Sequence, residues 1–339
     1  MKKIGVMVGR ENTFPEAFIA EVNARSAKTG VTAEYVRIGG ATVGDAPGYA
    51  LILDRISHEV PFYQAYLKHA VLHGTYVINN PFWKLADDKF FGTGLAQKLG
   101  VPIPKSVTLP NKEYVPDINS GSLRNMSWVD WEATLKYVGT PAFIKPIYGG
   151  GWKNVSKVRN LEELLKAYNE SAQLSMILQE GIEWSAYVRC IVLGRKHVYP
   201  HKWDPSKPHH ERYTNANFDI PQPLMDTIVD YSLRLCEALG YDMNTCEFAI
   251  RDGVPYAIDF MNAAPDLDAK SLTPDAFKWA VKTMADVTTE IVTSGRKPVA
   301  PARWDGLMFG EAEAAPAAKV AVAPAAAPAP AAAPAKPKK

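Results

Sequence analysis

The chain has 339 residues, of which 47% are hydrophobic and 22% charged, and its formal net charge is +2. A chain of this length and apolar content can bury a large core divided among two or three subdomains. The small net charge argues neither for nor against nucleic-acid binding. Nothing else in the composition indicates such binding, and we expect no nucleic-acid partner. Three cysteines, Cys190, Cys236 and Cys246, form an odd-numbered set without metal-type spacing, which favours a reducing cytoplasm.

The chain starts with a short apolar run, which is ended by the polar residues Gly-Arg-Glu-Asn at positions 9–12. This run is too short for a secretory signal peptide, and no later apolar run is long enough to span a bilayer. We therefore expect a cytoplasmic protein that has no membrane partner.

Residues 1–80 alternate between strand and helix patterns. We predict strands at 3–8, 31–38, 49–53 and 75–78, and helices at 13–28 and 60–72. Thr13 and Glu16 have the spacing of a capping box for the first helix. This alternation predicts a small parallel sheet, whose ligands normally bind beyond the carboxyl ends of the strands.

The predicted carboxyl ends of two of these strands carry residues 9–12 and Asp54-Arg55. These residues are either ligand-binding groups or ordinary polar loop residues. No Gly-x-Gly-x-x-Gly follows the first strand, so the sequence does not support a dinucleotide-binding fold.

A helix predicted at 87–99 carries Lys89 in its first turn. A cation in the first turn interacts unfavourably with the helix dipole. Lys89 therefore either lies close to an anion that offsets this cost or is an ordinary solvated lysine. Residues 110–140 are polar and irregular, with a short helix predicted around 128–137.

A second lysine, Lys145, lies inside the predicted strand 142–147 and is followed by three glycines at 149–151. A lysine within a strand is costly unless it meets an anion. Consecutive glycines allow backbone N–H groups to close around phosphate oxygens, although flexible linkers have the same composition. The position of these glycines between the lysine-bearing strand and a helix capped by Asn160 favours a phosphate-binding loop.

Further strands are predicted at 176–180, 186–193 and 196–199, and helices at 223–239 and 275–293. Arg189 lies within the second of these strands. An arginine at such a position indicates a paired carboxylate or phosphate, and the alternative is an ordinary cross-strand ion pair. The long polar stretch 201–219 is typical of a lid or substrate loop. Its His209-His210 pair lacks a spaced third ligand, so we expect no zinc site there.

Two apolar runs at 246–250 and 255–260 flank Asp252-Gly253, which predicts a β-hairpin. One carboxylate lies on each run, Glu247 and Asp259, and Asn262 follows. Two acids on neighbouring strands with a nearby amide oxygen suit Mg²⁺ beside phosphates. A two-residue turn would send the acids to opposite faces, whereas a three-residue turn with left-handed Gly253 would put both on one face.

Taken together, residues 81–295 resemble the ATP-grasp superfamily, the fold of D-alanine–D-alanine ligase, glutathione synthetase and the ribosomal-protein glutamate ligases. The resemblance rests on five motifs in order: Asp88-Lys89 before a helix, Ile144-Lys145-Pro146 before the glycines, Gln179-Glu180 with Glu183, Tyr187-Val188-Arg189, and the acidic hairpin. The implied fold is mixed α/β and α+β, an ATP-grasp fold preceded by a small parallel βαβ domain. The expected divisions are 1–80 for the βαβ domain, 81–175 for the lobe with the glycine-rich loop, 176–305 for the lobe with the metal hairpin, and 311–339 for a tail.

The resemblance also implies a role for each site residue. It implies that ATP phosphates are bound by Lys89, Lys145 and the loop Gly149, Gly150 and Gly151. It implies that adenine and ribose are bound by Gln179, Glu180, Gly181, Ile182 and Glu183. Arg189 would face the transferred phosphate or the acyl intermediate, with Lys145 as the second catalytic residue. Mg²⁺ would be held by Glu247, Asp259 and Asn262, although the spacing of the last two requires a bulge or a strand end.

The implied activity is an ATP- and Mg²⁺-dependent ligase that activates a carboxylate as an acyl phosphate and couples it to an amine, releasing ADP. The substrates would be small-molecule or peptide carboxylates and amines, which the sequence does not identify. The alternatives are an ATP-binding regulatory or scaffold protein, or a phosphotransferase that forms no amide.

From residue 311 the chain is almost entirely Ala, Pro and Lys. A segment of this composition has no means of burying a core, so we expect a disordered, extended tail with a basic end. Such a tail is suited to the recruitment of a protein partner.

Overall fold

The computed structural model describes residues 1–82, 88–208, 211–213, 218–297 and 321–322. Within these ranges the strands form three sheets. None of the helices in these ranges is long and apolar enough to cross a membrane. Asp87, His209, His210 and Asn217, which fall in the predicted helix start and the predicted substrate loop, lie outside the described residues.

The first sheet is parallel throughout and has the order β2-β1-β3-β4. Its strands are β1 (Lys2–Met7), β2 (Val31–Tyr35), β3 (Leu51–Asp54) and β4 (Tyr76–Ile78), and its helices are α1 (Thr13–Ala24), α2 (Ser26–Thr29) and α3 (Pro61–Leu72). The central strands of such a sheet are covered on both faces, so β3 is buried along its whole length, whereas the edge strand β2 ends in exposed residues. The predicted small parallel βαβ unit is confirmed.

The start of α1 differs from the predicted capping box. Thr13 is the first helical residue, and no side chain of the preceding Asn12 caps the helix. Asp268, from the loop before the last helix, takes this role instead. Its Oδ1 accepts the backbone N–H groups of Asn12, Thr13 and Phe14 at 3.0–3.2 Å, and it also accepts the Thr13 hydroxyl at 2.9 Å. The cap is therefore a tertiary contact, which sequence spacing does not reveal.

The second sheet is antiparallel, in the order β5-β8-β6-β7. It comprises β5 (Ser106–Leu109), β6 (Ala142–Pro146), β7 (Ser156–Val158) and β8 (Met176–Glu180), with α4 (Lys89–Lys98), α5 (Trp131–Val138) and α6 (Leu161–Asn169). The sequence pattern does not indicate strand β7. The glycines at 149–151 therefore lie in the connection between two paired strands and do not lead directly into a helix. Asn160 caps α6 as predicted, since its side chain accepts the N–H of Glu163 at 2.8 Å.

The third sheet has the order β12-β11-β9-β10-β13. Its elements are β9 (Ala186–Leu193), β10 (His197–Lys202), β11 (Met243–Arg251), β12 (Val254–Asp259) and β13 (Ala321–Val322), together with α7 (Gln222–Leu239) and α8 (Pro274–Ser294). One face packs in a core with α7 through residues such as Val188, Cys190 and Phe248. Because side chains alternate along a strand, their neighbours Tyr187, Arg189 and Glu247 occupy the opposite face.

The predicted disordered tail lies outside the described residues except for Ala321–Val322. These two residues pair in parallel with His197 and Val198 of β10. An edge strand offers unpaired backbone groups, which accounts for this pairing. The composition predicts a tail without regular structure, whereas Ala321 and Val322 form a short strand.

Candidate functional site

The hairpin of β11 and β12 has a two-residue turn. Arg251 pairs with Val254, and the turn residues Asp252 and Gly253 have φ values of +53° and +74°. Positive φ at both central residues is the requirement of the type I′ turn that matches strand twist. The expectation that two acids on one face require a three-residue turn is therefore wrong.

A β-bulge at the far end of the hairpin brings the acids together instead. Phe248 pairs with Ala257, whereas Glu247 pairs with Asp259, so Ile258 is the extra residue of β12. A bulge of this kind shifts the alternation of side chains by one position. Glu247 and Asp259 consequently lie opposite each other.

Asn262 lies beyond the end of β12, which terminates at Asp259. The spacing of Asp259 and Asn262 requires either a bulge or a strand end between them, and the structure shows a strand end. Beyond the strand, the side chain of Asn262 no longer has to alternate between the two faces of the sheet. The neighbouring Met261 packs closely against Gly92 of α4. A Cβ atom added to Gly92 would lie only 2.3 Å from the Sδ atom of Met261. Close packing of α4 thus supports the segment that presents Asn262.

A row of four polar residues crosses the third sheet at this level. Asp259 pairs with Glu247, Glu247 with Arg189, and Arg189 with His201. Arg189 Nη1 lies 3.3 Å from Glu247 Oε1, and the Tyr187 hydroxyl donates to Glu247 Oε2 at 3.0 Å. The row therefore concentrates titratable groups on one face of the sheet.

Burial shifts the pKa values of Glu247 and His201 in this row. It raises the pKa of Glu247 to about 7, against the opposing charge of Arg189 and with a further increase from Asp259. Burial and the charge of Arg189 lower the pKa of His201 to about 3, so its imidazole is neutral near pH 7. Such perturbed groups are typical of functional sites.

At the other end of the site, Lys145 is held in a buried position. Its side chain projects from β6, and Nζ donates to Gln179 Oε1 on β8 at 2.8 Å. Gln179 Nε2 in turn donates to the Ser106 hydroxyl at 3.0 Å. An ammonium group with 9% residue exposure retains a strong attraction for an anion, because water screens it little.

Lys89 and the glycine-rich loop are in direct contact. Lys89 Nζ donates to the carbonyl of Gly149, and its backbone N–H donates to Ile147 at 3.1 Å. Gly149 and Gly151 have φ values of +94° and +72°, a conformation that favours glycine. The loop is exposed. Lys89 therefore contacts the predicted phosphate loop directly, and Lys145 lines the same cleft.

The segment from Gln179 to Glu183 is anchored by its backbone and by one ion pair. Arg251 Nη1 lies 2.7 Å from Glu180 Oε1, and the N–H of Gly181 donates to Pro141 at 2.8 Å. A Cβ on Gly181 would lie 2.7 Å from that carbonyl oxygen. Only glycine permits this approach without a shift of the backbone.

These elements enclose a cleft of about 700 Å³ between the second and third sheets. All fourteen residues predicted to form the site line it: Lys89, Lys145, Gly149, Gly150, Gly151, Gln179, Glu180, Gly181, Ile182, Glu183, Arg189, Glu247, Asp259 and Asn262. The structure thus brings every predicted site residue into one space, while their individual roles stay predictions.

The cleft also contains residues that the sequence did not single out as site residues. Trp152, Trp184 and Trp203 line it, as does Arg212 from the predicted substrate loop. A tryptophan in a sequence gives no local signal that separates a cleft wall from a core. Arg212 was visible only as one of several polar residues in a long loop.

The donor set at the hairpin fits Mg²⁺. It consists of two carboxylates and an amide oxygen, and Mg²⁺ prefers one or two carboxylates completed by phosphate and water oxygens. No cluster of three His, Cys, Asp or Glu side chains suited to a metal occurs in the described part of the chain. Two carboxylates and one amide oxygen leave coordination positions that phosphate and water oxygens would complete.

No family model matches the sequence. Among curated proteins, it is similar to D-alanine–D-alanine ligases. That of Lactobacillus helveticus is 24% identical over 227 residues, which cover 61% of this chain and 60% of the ligase. The ligase of Desulforamulus reducens is 24% identical over 246 residues, which cover 67% of this chain and 72% of that ligase. The match with the Limosilactobacillus reuteri ligase spans 50% of the length of that relative.

Solved structures resemble almost the whole described fold. The VanG D-Ala:D-Ser ligase of Enterococcus faecalis has a TM-score of 0.61 at 17% identity, covering 86% of this chain and 99% of its own. The RimK domain ATP-grasp protein of Sphaerobacter thermophilus has a TM-score of 0.60 at 16% identity, and the match covers 84% of this chain and 98% of that protein. The chain therefore has the ATP-grasp fold, preceded by a parallel βαβ unit, and is similar to D-alanine–D-alanine ligases and to a D-Ala:D-Ser ligase.

Proposed function

We propose that this protein is an ATP- and Mg²⁺-dependent ligase, which activates a carboxylate as an acyl phosphate and couples it to an amine with release of ADP. The observation that carries this proposal is that two lysines, a glycine-rich loop and two carboxylates on adjacent strands line one cleft. The curated relatives are ligases at 24% identity, which supports the reaction class.

The lysine end of the cleft is suited to a nucleotide. In the proposed complex, the segment 179–182 borders adenine and Glu183 binds the ribose. Lys145 and Lys89 neutralise phosphate charge, and the loop of glycines 149–151 closes over the phosphates with its backbone N–H groups. Binding of phosphate would replace the contacts that these lysines now make with Gln179 and Gly149.

The acidic end is suited to phosphoryl transfer. Glu247, Asp259 and Asn262 would hold Mg²⁺, which supplies charge neutralisation of the phosphates when bound. Arg189 would stabilise the negative charge on the transferred phosphoryl group. The protein's contribution is the positioning of charge around a reaction between two bound substrates. The three buried free cysteines agree with the reducing cytoplasm that we propose as its location.

The reaction class can be tested by product analysis. Purified protein is incubated with ATP, Mg²⁺ and a panel of amino acids and small peptides, and ADP and phosphate are measured. Hydroxylamine added with the correct acid should trap the activated carboxylate as a hydroxamate. AMP and pyrophosphate as products would contradict the acyl-phosphate mechanism. ATP turnover that depends on neither an acid nor an amine would favour the regulatory or phosphotransferase alternatives.

A further inference from the structure

A second arginine in the cleft has no role in the chemistry proposed above. Arg212 lines the cleft together with Arg189 and Trp203. The central guanidinium carbon of Arg212 lies 5.2 Å from the centroid of the Trp203 ring, and that of Arg189 lies 5.3 Å from the same ring. Two guanidinium groups therefore share one indole beside the acidic end of the site.

Backbone contacts hold Arg212 in this position. Its Nε donates to the carbonyl of Lys207 at 3.0 Å, and its own carbonyl accepts the N–H of Asp204 at 2.9 Å. The N–H of Trp203 donates to Tyr187 at 3.0 Å, which attaches the start of the loop to β9. A guanidinium that is stacked and hydrogen-bonded in advance loses little conformational freedom when it binds a ligand.

The two arginines differ in their partners. Arg189 forms an ion pair with Glu247, whereas Arg212 forms none with any carboxylate in the described ranges of the chain. Like charges close to one another repel. An anion bound beside both guanidinium groups would offset this repulsion and add charge-assisted hydrogen bonds.

The indole provides an independent indication of a missing acceptor. Trp203 is 2% exposed, and its Nε1 has no hydrogen-bond partner among the described residues. The same holds for Arg189 Nε. Buried donors in folded proteins nearly always have an acceptor. A group with several oxygen atoms, bound in the cleft that these residues line, would offer acceptors to these donors and to Arg212.

We propose that Arg212, Trp203 and the Nε group of Arg189 form a subsite for a second oxyanion on the acid substrate, in addition to the carboxylate that is activated. This assignment rests on the proposed ligase function, because it takes the adjoining hairpin as the place of reaction. The substrate class is then an acid with two anionic groups. A monocarboxylate would leave Arg212 unpaired.

The subsite can be tested by anion binding, without knowledge of the natural substrate. The full chain is first titrated with Mg²⁺ and a non-hydrolysable ATP analogue. The loaded protein is then titrated with matched pairs of acids: succinate against butyrate, glutamate against glutamine, and O-phosphoserine against serine. Calorimetry and tryptophan fluorescence report binding. The member with the additional anionic group should bind at least about tenfold more tightly, as expected for one charge-assisted contact.

Variants assign the preference to individual side chains. Arg212→Gln should abolish the preference while the affinity for the ATP analogue is unchanged, and Arg212→Lys should retain part of it. Trp203→Phe keeps an aromatic ring but removes the N–H, so its preference should fall several-fold. Arg159→Gln is the matched control, since Arg159 is exposed and pairs with Glu163 outside the cleft.

The outcomes separate this inference from the proposed function. A parent protein that does not bind the ATP analogue would contradict the ligase proposal. Normal nucleotide binding with equal affinity for both members of every pair, or with no acid bound, would overturn the subsite alone. An unchanged preference in Arg212→Gln would do the same. A preference seen only in the phosphoserine pair would identify the second oxyanion as a phosphate, and one seen in the carboxylate pairs would identify it as a carboxylate.

Discussion

At the scale of single residues, the site is an arrangement of charges in which Glu247, Arg189 and Lys145 are largely withdrawn from water. Glu247 and Asp259 face each other, Arg189 opposes them, and Lys145 is buried at the other end of the cleft. Burial strengthens each electrostatic interaction and also makes each unpaired charge costly. Substitutions in this row should therefore separate binding, turnover and stability in distinct ways.

Asp259→Asn should reduce turnover by at least a hundredfold while the melting temperature changes little. The two side chains have nearly the same shape, but the amide lacks the charge that Mg²⁺ requires. Steady-state ADP release and thermal unfolding measure the two effects. Asp252→Asn in the turn of the same hairpin is the matched control, because asparagine is favoured in its left-handed conformation. Parental turnover in Asp259→Asn would remove the metal assignment.

Lys145→Ala should weaken ATP binding about 10- to 100-fold, since a charge-assisted phosphate contact contributes ~1.5–3 kcal/mol. Lys153→Ala, at a position in the cleft that no predicted phosphate contact uses, should have a smaller effect. Equilibrium titration with the ATP analogue measures both. Equal affinity of the Lys145 variant and the parent would exclude this nucleotide site.

His201 should make the stability of the protein dependent on pH. Its folded pKa of about 3 lies below the ordinary value of 6.5, so the unfolded chain binds more protons between these values. Stability therefore rises with pH over this range and is fully present above it, and at pH 5 the loss should be about 2 kcal/mol. Urea unfolding of the parent and of His201→Gln at pH 7.5 and 5 measures the difference. A parent curve no steeper with pH than that of the variant would contradict it.

At the scale of elements, the position of a single extra residue decides the geometry of the hairpin. The turn alone would put Ile258 opposite Glu247, and the bulge replaces it with Asp259. Similarly, the glycine loop owes its form to the pairing of β6 with β7, which closes the connection between them. Functional geometry in both cases depends on how two strands pair.

The cap of α1 illustrates a contact between distant elements. Asp268→Ala should lower the free energy of unfolding by about 1–3 kcal/mol, because three backbone N–H groups would lose their acceptor. Denaturant unfolding measures this change, with the exposed Asp45→Ala as a control. An effect no larger than that of the control would show that water replaces the cap.

The same cap has a pH signature. Burial opposes ionisation of Asp268, but the hydrogen bonds from Phe14, Asn12 and Thr13 outweigh it and hold its pKa below the ordinary value of 3.8. A carboxylate with a depressed pKa contributes stability above its unfolded pKa and loses this contribution as the pH falls. The difference between parent and Asp268→Ala should therefore shrink below about pH 4.

At the scale of the whole molecule, the parallel unit is joined firmly to the segment that follows the hairpin. Arg55, at the end of β3, donates from Nε to Glu11 at 2.7 Å and from Nη2 to the carbonyl of Pro265. One apolar core also continues from β1 and α1 to α8 and the third sheet. Polar residues at these strand ends therefore connect the first sheet to the rest of the fold.

Removal of the tail should leave this core intact. A chain that ends at Gly310 should keep the melting temperature and the ATP affinity of the parent, since β13 adds only two residues of pairing at an edge. Thermal unfolding and nucleotide titration measure both. A decrease of several degrees would show that the tail packs on the fold. Lost activity with unchanged stability would instead indicate that the tail recruits a partner.

The sequence by itself determined the βαβ unit, most strand and helix positions, and fourteen of the residues that line the cleft. Periodicity, turn residues and isolated charges are local signals, and Lys145, Arg189 and Glu247 stand out because a charge within an apolar strand needs a partner. Their roles were implied by the order of motifs and remain predictions.

Only the tertiary structure decided the bulge at Ile258, the cap from Asp268, strand β7, and the pairing of Arg212 with Trp203. Each of these features depends on segments that are distant in the chain or on the register of two strands. A local window of sequence contains neither the partner nor the register, because a shift of one residue leaves every local pattern unchanged while reversing the face of each side chain.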